Sequence, residues 1–281
     1  DLGIARSHGS YEELVADPEI EAVYIPLPNH LHAEWTIAAA EAGKHVLCEK
    51  PLAMTSVDAR RMIEIAEASD VLLMEAFMYR LHPMWVKVMD LVGSGGVGEV
   101  RSVQAIFSYF NDDPSDIRNR TEAGGGALFD IGCYAVNVAR LVFDGEPSDV
   151  KGSIVRDPVQ GTDIVTSAVL DFGDGHASFV CSTRMESAQR VEIGGSQGRI
   201  VVEIPFNIPP DRPTRIHVIA GGDPPVAPAS ETHEFATADP YTVETDAFSR
   251  AIREGTSVPV PPADAVANLE VIERIFADAA G

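Results

Sequence analysis

The chain has 281 residues, 45% of them hydrophobic and 23% charged, a balance that suits a soluble globular protein of two domains. Asp and Glu number 43 against 21 Lys and Arg, and the net charge of −22 opposes nucleic acid and anionic membranes as partners. No run approaches the roughly 18 apolar residues of a membrane span, and Cys48, Cys133 and Cys181 are too scattered for a disulfide framework or a zinc site, so a cytoplasmic protein with reduced thiols is expected.

In chain order, EAVYIPLP (21–28), HVLCEK (45–50) and VLLMEAF (71–77) read as strands buried on both faces, as in a parallel sheet covered by helices. Between the first two, HAEWTIAAAEAG reads as a helix ending on Gly43. After the second, TSVDARRMIEIAEAS opens with Thr55 and Asp58 at capping-box spacing and offers Val57, Met62, Ile63 and Ile65 as an apolar face. Strands alternating with helices predict an α/β, doubly wound half-domain over residues 1–98.

Beyond the glycine-rich turn LVGSGGVGEV the texture changes. Residues 100–110, 148–156, 163–171, 175–183, 189–193, 199–204 and 214–219 read as strands joined by glycine-containing turns, which predicts an open antiparallel sheet and an α+β domain over residues 99–281. A long helical pattern at 126–143 interrupts the series. A Pro- and Ala-rich loop, GGDPPVAPASE, follows the last strand, and residues 238–255 and 261–280 close the chain as helices.

Three stretches carry candidate chemistry. Glu49 and Lys50 lie just past a strand's carboxyl end, where open α/β sheets bind ligands, and Pro51 restricts the backbone there; an ordinary charged strand end is the other reading. In GGGALFDIGCYAVN, a helix places Asp130 and Tyr134 at i and i+4 on one face, behind three glycines that permit close backbone approach; simple packing remains open. The turn Pro26, Leu27, Pro28, Asn29 leads into a helix N-terminus suited to an anion such as a pyrophosphate, although Asn29 is equally a plain N-cap. His30, His32 and Glu34 nearby suggest a metal, but His30 and His32 fall on different helical faces, so none is expected.

PLPNHLHAE, HVLCEKPLA, MEAFMYRLHP and GGGALFDIGCYAVN, in this order, jointly resemble the glucose-fructose oxidoreductase/inositol dehydrogenase (Gfo/Idh/MocA) family over nearly the whole chain. Asp130, Gly132 and Tyr134 are similar to the branch holding glucose-fructose oxidoreductase, aldose (xylose-type) dehydrogenases and dimeric dihydrodiol dehydrogenase, whereas inositol dehydrogenases usually carry His where Tyr134 stands. The resemblance implies a Rossmann-type, dinucleotide-binding first domain and a second domain for substrate binding and oligomerisation. The implied reaction is hydride transfer between NADP or NAD and a sugar or related cyclic alcohol, with a dihydrodiol as the nearest competing substrate.

The resemblance further implies that Tyr134 is the acid/base, that Lys50 favours its phenolate beside the nicotinamide and the carbinol, and that Asp130 orients the sugar or the lysine. Pro26, Leu27, Pro28, Asn29, His32, Glu49, Lys50 and Arg80 fall at cofactor-binding positions, and Arg118, Asp130 and Tyr134 at substrate positions. It implies a homodimer or homotetramer. Family members begin with a strand, a glycine-rich phosphate turn and a helix; this chain enters at the approach to the third strand, so a βαβ unit of roughly 45 residues is expected to be missing. A cofactor-free sugar-binding or oligomerisation protein of the same descent is the alternative.

Overall fold

The computed structural model describes residue 4 and residues 6–221 and 230–280. The chain divides into two compact units, Asp1–Ala76 with Ala247–Val266, and Phe77–Asp246 with Ala267–Gly281.

The first unit holds α1 (Tyr11–Ala16), β1 (Ala22–Ile25), α2 (Asn29–Glu41), β2 (His45–Glu49), α3 (Ser56–Ala68) and β3 (Leu73–Ala76). The strands form a parallel sheet in the order β1-β2-β3, with Val46 opposite both Val23 and Leu73. Such strands need helical crossovers, which α2 and α3 supply. Leu47, Met74 and Ala76 meet Phe248, Ala251, Val258 and Val260 in a core that recruits a later part of the chain. The expectation of burial on both faces holds for β2 and β3 but not for β1, where exposure alternates and Tyr24 is 49% exposed. In α3 the buried stripe is Ser56, Ala59, Met62 and Ala66, so Val57 faces outward against expectation. Thr55 Oγ1 accepts the Asp58 amide at 3.0 Å and donates to Asp58 Oδ2 at 2.7 Å.

The second unit opens with α4 (Pro83–Gly93), whose N-cap His82 accepts the Met84 amide through Nδ1 at 3.2 Å. Next come β4 (Val100–Phe110), a π-helical turn (Leu128–Gly132) and α5 (Cys133–Phe143). The strands β5 (Asp149–Arg156), β6 (Asp163–Asp171), β7 (His176–Ser182), β8 (Arg184–Gly195), β9 (Gly198–Val202), β10 (Thr214–Ala220) and β11 (Ser230–Phe235) follow. The chain ends with α6 (Pro240–Glu254) and α7 (Pro262–Asp278).

The eight-stranded sheet runs β11-β10-β9-β8-β4-β7-β6-β5. It is not wholly antiparallel: β4 and β7 pair in parallel, Phe107 opposite Cys181. The long excursion through α5, β5 and β6 lets the chain return beside β4 in the same direction. The sequence reading also misses β11, which begins inside the Pro- and Ala-rich stretch; residues 222–229 of that stretch lie outside the described residues.

Thr121–Phe143 is long and apolar enough on average to cross a membrane, although Glu122, Asp130, Asn137 and Arg140 interrupt it and 78% of its most apolar part is buried inside the protein. Leu128, Ile131, Cys133, Tyr134 and Val136 all turn inward. The sheet also bears a shallow groove of about 710 Å³ lined by Gln104, Ile106, Lys151, Val169, Val180 and Arg190, among others.

Candidate active site

In the first unit the candidate residues gather at the carboxyl edge of the parallel sheet. Glu49 ends β2 and accepts the Tyr24 hydroxyl at 2.5 Å; Lys50 follows, joined to Pro51 by a cis peptide bond. His32 is fully buried in the first turn of α2, its Nδ1 2.8 Å from the Pro51 carbonyl and its Nε2 2.7 Å from the Leu27 carbonyl. It therefore sits between the Pro26-Leu27-Pro28 turn and the Lys50-Pro51 turn; the sequence reading puts it at a cofactor-binding position, and here both ring nitrogens face backbone carbonyls. Burial holds its pKa below the usual histidine value, so the ring is neutral and donates to one carbonyl at a time.

Asn29 is the first residue of α2 rather than its cap; Pro28 occupies the capping position, contributes no side-chain hydrogen bond, and no acid sits in the first turn. A helix start without an acid, at a sheet's carboxyl edge, favours an anion. Sequence reasoning missed Glu75, buried in β3, whose Oε1 accepts the Leu52 amide at 2.7 Å and so holds the turn after Lys50. Its signal was available: a carboxylate inside a strand buried on both faces has to be hydrogen-bonded.

In the second unit Tyr134 lies in the first turn of α5, almost fully buried, with its ring 5.2 Å from Phe77, 5.7 Å from Phe107 and 5.2 Å from Phe206. Its hydroxyl donates to Met78 Sδ at 3.4 Å, a weak acceptor. Arg80 follows Met78 and Tyr79, half-buried, its amide donating to the Phe77 carbonyl at 3.0 Å.

Asp130 lies in the π-helical turn. Tyr109, absent from the sequence-derived set, donates its hydroxyl to Asp130 Oδ2, while Arg118 Nε lies 3.5 Å from Oδ1. Burial first, then the Asp130 charge, push the Tyr109 pKa well up, so this phenol stays a donor. Arg118 also reaches Asp116 Oδ1 at 3.4 Å. The α-helix expected to carry both Asp130 and Tyr134 is a π turn over Leu128–Gly132, in which the Cys133 amide bonds back to Leu128, before α5 begins. The carboxylate meets Tyr109 and Arg118, and the phenol meets the aromatic shell.

The glycines in front fit the close approach expected of them. A Cβ on Gly125 would lie 2.5 Å from the Arg118 carbonyl, and one on Gly126, at φ +122°, would lie 2.0 Å from Asp163 Oδ1.

Fold and site together define an oxidoreductase with a dinucleotide-binding Rossmann domain. The pattern of the oxidoreductase family with NAD-binding Rossmann fold matches residues 2–77, and that of the GFO/IDH/MocA C-terminal domain matches residues 85–201. An uncharacterized oxidoreductase, ORF334, of Rhizobium meliloti is 47% identical over 98% of this chain and 82% of its own length. The D-xylose 1-dehydrogenase (NADP(+)) 2 of Haloferax volcanii is 37% identical over 99% of this chain and 84% of its own. Among solved structures, KijD10, a 3-ketoreductase from Actinomadura kijaniata in complex with NADP and TDP-benzene, superimposes with a TM-score of 0.86 at 28% identity, over 96% of this chain and 81% of that one. The chain belongs to the Gfo/Idh/MocA oxidoreductase family.

The described residues fit its nicotinamide dinucleotide. The start of α2, with no cap from Pro28 and no acid in its first turn, suits a phosphate, and the Lys50-Pro51 turn lies at the sheet's carboxyl edge, flanked by His32 and Glu75.

Proposed function

We propose that this protein is an NAD(P)-dependent dehydrogenase of an uncharged aldose or related cyclic polyol, working in the cytoplasm as a homo-oligomer. Tyr134 is its acid/base and takes the proton of the substrate hydroxyl. Lys50 supplies the cation that favours the deprotonated oxygen, and Asp130 with Arg118 holds the neighbouring hydroxyls. Pro26, Leu27, Pro28, Asn29, His32, Glu49 and Arg80 shape the cofactor's seat. When bound, the nicotinamide supplies the hydride acceptor.

The observation that carries this reading is the setting of Tyr134: a phenol buried in an aromatic shell, its hydroxyl on a thioether, four residues after a carboxylate held by Tyr109 and Arg118. Such a phenol is shielded from bulk water, and a substrate hydroxyl competes well with a thioether for it.

Charge favours a neutral substrate over a nucleotide-linked sugar of the kind suggested by the TDP ligand of KijD10. From residue 111 to 130, Asp112, Asp113, Asp116, Glu122 and Asp130 outnumber Arg118 and Arg120, and both arginines are already paired, Arg120 with Glu122 at 2.8 Å. A diphosphate would have to displace these carboxylates. The three free, buried cysteines suit a reducing compartment.

The test is NAD(P)-linked turnover of a panel of aldoses, with Tyr134→Phe and Lys50→Met as variants. Each substitution is expected to lower kcat by at least about a hundredfold while leaving the thermal midpoint close to the parent's. Unchanged turnover in both variants would overturn the assignment.

A further inference from the structure

The π-helical turn that carries Asp130 is held at both ends by buried polar side chains that no proposed step uses. At its start, Asp163 on β6 is 2% exposed and its Oδ2 accepts the Leu128 amide at 2.7 Å and the Thr166 hydroxyl at 2.8 Å. At its end, Asn268 on α7 is 1% exposed and donates through Nδ2 to the Cys133 carbonyl at 3.2 Å. Arg140, itself buried and bonded twice to Glu146 at 2.7 Å, reaches Asn268 Oδ1 at 3.5 Å and fixes which way that amide points. Glycine makes the first attachment close, Gly126 admitting the Asp163 carboxylate, and lets the turn itself pack on β7, where a Cβ on Gly132 would lie 2.8 Å from Cys181 Sγ.

A π turn contains one residue more than the α-helix would use, and a helix relaxes toward the α register unless something holds the insertion. The amide at a helix start and the carbonyl beside a register change are the groups left wanting partners. Here each has one, supplied from a different element.

The geometry assigns Asp163 and Asn268 as positioning residues that clamp the π turn and so set the directions in which Asp130 and Tyr134 leave the helix. This assignment rests on the proposed roles of those two side chains.

The experiment uses the full chain and the variants Asp163→Asn, which keeps the shape and one acceptor, and Asn268→Ala, with Asp163→Ala as the harsher change. Two quantities are read: steady-state kcat and KM on an aldose that the parent turns over, and amide hydrogen exchange of peptides spanning residues 126–134. The expected result is a kcat at least about tenfold lower, a KM for NAD(P) within about twofold of the parent, and faster exchange confined to residues 126–134. Folded variants that retain the parent's kcat, or whose exchange in this segment is unchanged, overturn the clamp. A parent without turnover on any polyol overturns the functional reading instead; the exchange data then decide the clamp alone, local acceleration supporting it and its absence refuting it.

Discussion

Asp130 receives the Tyr109 hydroxyl on one carboxylate oxygen and faces the Arg118 guanidinium with the other, so its orientation is set from two sides. Tyr109→Phe removes one of the two without changing the ring. A hydrogen bond to a charged group contributes roughly 1.5–3 kcal/mol, which corresponds to about ten- to a hundredfold in an equilibrium constant. The KM for an aldose is expected to rise by at least about tenfold with the KM for NAD(P) unchanged; steady-state kinetics with each substrate varied in turn checks this, and equal KM values would remove Tyr109 from the site. Tyr109 was not legible in the sequence because FSYF reads simply as an aromatic strand end. Lys50 and Tyr134 stood out because their residue types break the local pattern, a charge after an apolar strand and a phenol in an apolar helix. Glu75 breaks its pattern in the same way, but a single acid inside VLLMEAF is masked by the apolar residues around it.

Among the elements, those with one dominant period could be read directly: β2, β3, α2 and α3 follow from alternation of strand and helix patterns, and Thr55 marks the start of α3. The π turn and the parallel β4–β7 pair could not, because both depend on contacts between residues far apart, Leu128 with Asp163 in one case and β4 with β7 in the other. Helix caps that titrate are hidden for a related reason, since their burial is set by the rest of the fold. His82 caps α4, and burial holds its pKa below the usual histidine value; His32, at the start of α2, is shifted likewise for the same reason. With folded values depressed, the unfolded chain binds more protons as pH falls through its histidine range near about 6.5, and stability declines in that window. His82→Asn keeps an acceptor for the Met84 amide and removes the titration. Thermal midpoints measured between about pH 7.5 and about pH 5.5 are expected to fall less steeply in the variant than in the parent; parallel slopes would show that His82 contributes nothing to the acid sensitivity.

At the scale of the whole molecule, the groove on the eight-stranded sheet bears on the proposed oligomer. It combines the apolar Ile106, Val169 and Val180 with Lys151, Arg190 and Glu192, and Val169 is 46% exposed. Charges of both signs around apolar side chains are self-complementary across a two-fold axis, where a cation of one copy meets an acid of the other. Opposing this is the net charge of −22 on each chain, a repulsion that acts over the Debye length and weakens as salt rises. Association through the sheet should therefore strengthen between about 0.05 M and about 0.3 M salt, the reverse of an interface held mainly by ion pairs. Val169→Asp places a like charge against its own copy and is expected to yield single protomers by light scattering while NAD(P)-linked turnover persists. A parent that already scatters as one protomer at the higher salt would refute the oligomer, and a Val169→Asp protein that remains associated would move the interface off this face.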